Sequence, residues 1–227
     1  MPTRFPGFPP ETLKFLAGLK KNNTREWFAA RKDVYESSVK EPMKQLILAL
    51  GEEVEQFAPG FVTDPKKATY RIYRDTRFSK DKTPYKTHIA GIFAPGQLPK
   101  HAGAAFYFHF SPKEVLVGGG LYMPDPKSLL TIRKRLSAEH GEYRKITASK
   151  TFKKLFGEVE GERLKRAPKG FSPDDPAADL LVQKQFLCGG SLKPAIVETP
   201  KFQRELIKHF KALAPWIDWI NQPLIGG

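Results

Sequence analysis

Cysteine is almost absent: Cys188 stands alone among 227 residues. That excludes an intramolecular disulfide and leads us to expect a reducing compartment. Long apolar runs are missing too. The densest aliphatic cluster, Leu46–Leu50, falls far short of the roughly 20 residues needed to cross a bilayer. The opening MPTRFPGFPP lacks the apolar stretch of a signal peptide. A soluble, cytoplasmic protein without a membrane partner is therefore expected. Disorder is not the default reading, because 40% hydrophobic and 12% aromatic residues suffice for a sizeable core. With no repeat, low-complexity tract or linker, residues 1–227 read as one domain.

Acids are scarce beside bases, and the formal net charge is +14. The excess is local. Lys66–His88 holds eight Lys and Arg against two acids, and Lys127–Lys169 holds thirteen against five; elsewhere each sign occurs seventeen times. Concentrated positive charge draws in anions and speeds their capture. The cations of Lys127–Lys169 are interleaved at helix-like spacing, which favours a solvated helix surface.

Helical signals dominate both ends. Leu13, Leu16 and Leu19 predict a helix from Pro10 to about Lys21, ended by Asn22 and Asn23. Thr24 caps a second, with Trp27, Val34 and Tyr35 on its apolar side. Pro42 ends or kinks that helix, or opens a new one bearing Met43, Leu46, Ile47, Leu50 and Val54. In the middle the period changes to two. Phe106, Phe108 and Phe110 alternate with Tyr107 and His109, and Val115–Tyr122 returns as the partner of a hairpin. Tyr70–Arg74 and His88–Phe93 are weaker strands. Asp125-Pro126 and Thr199-Pro200 both read as cap-then-proline helix starts. Phe202, Leu206 and Phe210 form a ridge on the last helix; Trp216, Ile217, Trp219 and Ile220 follow Pro215 and dock the C-terminus. The fold class is α+β, a largely antiparallel central sheet flanked by N-terminal and C-terminal helices.

The most unusual stretch is Arg71–His88. Arg71, Arg74 and Arg77 recur every three residues, and Lys82, Lys86 and His88 follow. Arginine pairs carboxylates and phosphates through a planar fork, whereas lysine acts as a point charge. A strand end running into a loop is where a scaffold commonly presents such groups. Two nearby acids, Asp75 and Asp81, cannot neutralise eight cations. We therefore expect an anionic small molecule, bearing phosphate or carboxylate, bound by Arg71, Arg74, Arg77, Lys82 and Lys86. Tyr85 and His88 would serve as hydrogen-bond or proton-transfer partners. Tyr70, Tyr73, Phe78 and Tyr85 offer faces that stack on bases, although core packing claims at least two of them.

Arg71, Arg74-Asp75, Arg77-Phe78 and Lys82-Thr-Pro-Tyr-Lys86 resemble the central motif of the DUF2461 family. Asn23, Trp27-Phe28, Tyr35 and Pro42 are similar to its N-terminal motif. Gly118–Gly120 with Tyr122, Arg133, and Pro168-Lys-Gly-Phe171 match later landmarks. The resemblance covers nearly the full length. It implies one family domain of mainly bacterial occurrence and brings no catalytic residues with it.

Enzyme signatures are weak. Ser79-Lys-Asp-Lys82 fits an S-x-x-K string, but S-D-N and K-T-G elements are missing. Gly118–Gly120 lacks the P-loop lysine and the dinucleotide spacing; a bent strand explains it. The five histidines show no metal-ligand pair, so neither metal nor cofactor is expected. His109 falls on the strand face opposite the phenylalanines, and Cys188 reads as a small buried hydrophobe. No nucleophile–base pair stands out, so enzymatic activity is left open. Two alternatives remain. One is a nucleic-acid-binding module, weak and without sequence preference, for which no reader motif is present. The other is a structural or protein-interaction role with internally paired arginines. Convergent cations would favour the ligand site, a continuous basic stripe nucleic acid, and an arginine facing each carboxylate the structural role.

Overall fold

Successive side chains of a strand point to opposite faces, so the alternation from Phe106 to Phe110 builds a sheet with one apolar side. The computed structural model describes residues 3–99 and 101–226. Its sheet comprises β1 (Ile89–Phe93), β2 (Ala105–Phe110), β3 (Val115–Leu121) and β4 (Phe186–Leu192), antiparallel throughout and in that spatial order. Before it come α1 (Pro10–Lys21), α2 (Arg25–Ala29), α3 (Lys32–Tyr35), α4 (Glu41–Phe57) and α5 (Pro65–Ala68). Between β3 and β4 lie α6 (Pro126–Thr147), α7 (Lys150–Phe156) and α8 (Ala178–Leu181), and α9 (Lys201–Ile225) closes the described chain. The architecture is α+β, as the sequence predicts.

Helices cover the phenylalanine face. Met43, Leu46, Ile47, Leu50 and Val54 of α4 are buried, as are Phe202, Leu206, Phe210, Leu213, Trp216 and Ile220 of α9. Phe106 and Phe108 meet Phe210 with ring centroids 5.1 and 6.5 Å apart, and Phe110 meets Phe202 at 5.8 Å. All three β2 phenylalanines are fully buried, with Val115 and Val117 beside them on β3. Tyr107 and His109 point to the other face, where burial is only partial.

Several local expectations are revised. Residues 69–74 make isolated bridges instead of a strand: Thr69 with Gly91 at the β1 edge, then Tyr73 with Tyr85. The run leaves β1 to pair with residues 84–86, where Pro84 can accept but not donate, so no continuous ladder forms. Asp125 caps α6 as expected, its carboxylate accepting from the amides of Lys127 and Ser128 at 2.9 and 3.1 Å. Thr199 does not cap α9; its hydroxyl donates to the Ile196 carbonyl at 2.9 Å, and Pro200 occupies the cap position. Helix α9 also runs straight through Pro215. Pro215 and Lys211 are both exposed, so the carbonyl that proline leaves without an amide faces water. Pro42 sits at the start of α4, which continues from a π-helical turn at Glu36–Lys40.

The glycine run is a packing device. Gly120 has φ +126°, and a β-carbon there would collide with the backbone at Phe186 of β4. Strand β4 itself is a further addition to the expected sheet. Its outer edge is bridged by Glu160 to Leu187, and Arg163 bridges to Gln183 just before the strand begins.

Candidate functional site

The family-like N-terminal residues hold the basic segment in place. Asn23 accepts from the Tyr85 amide at 3.1 Å through its side-chain carbonyl and donates to the Tyr85 carbonyl at 2.9 Å. The Tyr85 ring stacks on Phe28, centroids 4.2 Å apart and planes 14° apart. Phe28 in turn packs against Phe15 and Tyr35. Tyr85 is thus buried in an aromatic box, an anchor whose ring lies away from solvent. The segment's course is then fixed: Lys86 donates its amide to the Ile72 carbonyl at 2.8 Å, and Tyr70 donates to Ala90 at 3.0 Å.

This course splits the predicted cations into two groups. In the loop 75–83, Arg74 and Arg77 each face a carboxylate. Arg74 donates to Asp81 and Thr83, with Ser79 at 3.5 Å. Arg77 grips Asp75 with two parallel bonds, Nε to Oδ1 at 3.0 Å and Nη2 to Oδ2 at 2.8 Å. These contacts hold the Asp75 carboxyl down at about 2. The Asp81 carboxyl also lies at about 2, chiefly because it accepts from the Thr83 amide, then because of Arg74. Lys82 donates to the Thr76 carbonyl at 2.9 Å. The loop is therefore cross-linked by its own charges.

The second group lies on the partly exposed sheet face. Lys86 extends over the Tyr70 ring, Nζ 5.1 Å from its centroid. Tyr70 packs edge-on against Tyr107 at 6.2 Å. His109 lies one pleat along from Tyr107, its Nδ1 3.2 Å from the phenol oxygen, and its Nε2 is 3.4 Å from Glu114. The His88 ring stands 5.3 Å from His109. Burial, then the nearby Arg71 charge, lowers the Lys86 ammonium below its usual value. His88 is lowered by burial first, then by His109 and Lys86. The Tyr107 phenol is pushed up to about 12, mainly by burial, so it remains a neutral hydroxyl at neutral pH. Among the described residues, neither Arg71 nor Lys86 forms an ion pair with a carboxylate.

The structure brings Lys86 and His88 near one another, with Arg71 close enough to act on Lys86, and sets beside them Tyr107, His109 and Glu114, which the sequence did not single out. The signal was present in part: Tyr107 and His109 alternate with the buried phenylalanines, which puts both on the opposite face. Two surface clefts of about 400 and 370 Å³ lie elsewhere, beside the start of α9, and none of the predicted residues lines them. The cluster is a surface patch. No group of three or more His, Cys, Asp or Glu suited to a metal ion occurs among the described residues, and no described helix is long and apolar enough to cross a membrane.

The second basic window, Lys127–Lys169, puts three of its arginines to structural use. Arg133 donates to the Leu181 and Gln183 carbonyls at 2.8 and 3.0 Å. Arg135 donates to the Trp219 carbonyl at 2.6 Å and lies over that indole ring. Arg144 binds Asp179 at 2.5 Å. These contacts tie α6 to α8 and α9.

The two loop arginines should respond differently to substitution. Arg74 is one-quarter exposed and joins three side chains, so Arg74→Gln should destabilise the fold by ~1–3 kcal/mol. Arg77 is mostly exposed, and Arg77→Gln should leave the melting temperature unchanged, since exposed pairs contribute little. Thermal melts of both variants check this; equal losses would contradict it.

No curated protein matches the chain. Residues 11–219 match the model of a family described as conserved hypothetical protein, DUF2461, so the chain belongs to the DUF2461 family.

Proposed function

We propose that the chain binds an anionic small molecule, bearing phosphate or carboxylate, on the partly exposed sheet face at Arg71, Lys86 and His88. The observation that carries this reading is that Arg71 acts on Lys86 while neither forms an ion pair with a carboxylate, the Arg71 charge reaching Asp75 only at longer range. Two like charges near each other raise each other's energy, and an arriving anion relieves that. Tyr107, kept neutral, contributes a hydroxyl donor beside them. Arg74, Arg77 and Lys82, with their internal partners, shape the loop, and Tyr85 anchors it. We place the activity in a bacterial cytoplasm, which suits the single buried thiol of Cys188. Calorimetric titration of inorganic phosphate at low salt tests the reading. Saturable one-site binding that weakens with added chloride is expected; no binding heat and no thermal stabilisation by phosphate would overturn it.

One observation favours a second reading. Phe78 is 95% exposed on a loop that also carries Arg77, Lys80 and Lys82, so its ring is available to stack on a base. Under this reading, single-stranded oligonucleotides bind weakly, without sequence preference, and lose affinity steeply with salt. Fluorescence anisotropy at two salt concentrations measures it. Phe78→Ala should then abolish what binding there is, and tight sequence-dependent binding at physiological salt would displace the small-ligand proposal.

A further inference from the structure

Building on the anion site proposed above, we propose that its ligand is a phosphate monoester, a tetrahedral dianion, and that His88 takes up a proton as it binds. The donors arrive from different parts of the fold. Lys86 and His88 lie on the segment leading into β1, Arg71 on the neighbouring run, and Tyr107 on β2. Donors spread over separate elements of one patch suit a group that accepts hydrogen bonds in three dimensions, whereas a planar carboxylate is met best by a single fork. Charge points the same way. Arg71 and Lys86 already supply two positive charges, and the nearby Asp75 carboxylate is committed to Arg77. A monoanion leaves one of those charges unmatched.

His88 is the adjustable member. It faces His109 from β2, and the charges of Glu114 from the turn into β3 and of Lys86 from its own segment act on it. In the free protein, burial and the cations around it keep its ring neutral at pH 7. A dianion reverses that local field, so the bound state holds one more proton than the free state. Affinity must then rise as pH falls through the window between the lowered free value and the raised bound value. The same logic disfavours phosphodiesters, which carry one charge, and so separates this ligand class from a nucleic-acid backbone.

Sulfate is the suitable probe, because it is a dianion throughout the range and adds no titration of its own. Calorimetry on the full chain at pH 8.0 and 5.5 should show sulfate binding at least about tenfold tighter at the lower pH. Acetate and dimethyl phosphate, both monoanions, should bind at least about tenfold weaker than sulfate at pH 5.5. In His88→Gln the ratio between the two pH values should collapse to about one, and in His109→Gln it should persist. The ring resonances of His88 in the unmodified chain give an answer that needs no variant: their titration midpoint should rise when sulfate is added. Equal affinity for sulfate and acetate would overturn the ligand class. A midpoint that stays put, or pH dependence surviving His88→Gln, would overturn the proton uptake. Failure of every anion to bind at either pH would instead remove the underlying site.

Discussion

Phe108→Ala is expected to destabilise the fold by ~3–5 kcal/mol. The ring is fully buried between β2 and the helices, 6.1 Å from Phe202 and 6.5 Å from Phe210. Its space is shaped on the far side by Gly91 of β1, where a β-carbon would run into the Phe108 ring. Truncation therefore removes apolar contact and leaves a cavity lined by rigid neighbours from β1, α4 and α9, which cannot close over it. Urea denaturation measures the loss as a lower midpoint with an unchanged slope. A loss below about 1 kcal/mol would mean that the sheet and helices do not pack through this ring. Because Tyr107 and His109 are placed by the same alternation, such a result would also dismantle the geometry of the anion patch.

Lys86→Gln is expected to weaken phosphate binding by ~1.5–3 kcal/mol, the usual range for a lost charged hydrogen bond, or roughly ten- to a hundredfold. Stability should not fall with it. The folded protein lowers the Lys86 ammonium from its ordinary 10.5, through burial and through Arg71. The unfolded chain therefore holds that proton more tightly, and this group's contribution to stability rises with pH between the two values. At neutral pH its charge is a strain on the fold, which glutamine of similar length relieves. Calorimetry and a thermal melt on the same sample distinguish the outcomes. A large fall in melting temperature would mark Lys86 as a structural partner and contradict its assignment to ligand.

Much of the fold is legible from periodicity. The β2–β3 hairpin, α1, α4, α6 and α9 all announce themselves through apolar spacing, and burial enforces that pattern. Strand β4 does not, because Cys188-Gly189-Gly190-Ser191 supplies none of the bulky β-branched or aromatic residues that mark strands. It is held by backbone pairing with β3 and by the close approach that the facing glycines permit. Pro215 is tolerated inside α9 because the carbonyl it leaves without an amide can reach solvent. The site is half legible. Arg71, Lys86 and His88 stand out as a local excess of charge. Which of the neighbouring arginines are already paired depends on how loop 75–83 closes. That His88 meets His109 depends on the β1–β2 register, which pairs Ile89 with Phe110 and which no local pattern encodes.

The central claim concerns where an anion lands, and a phosphate titration followed by heteronuclear NMR on the unmodified chain tests it most directly. Saturable shifts should concentrate at Arg71, at Lys86 through Ile89, and at Tyr107 and His109, with the side-chain resonances of Lys86 and His88 moving furthest. Shifts confined to residues 75–83, or spread thinly over the lysines of α6 and α7, would contradict it.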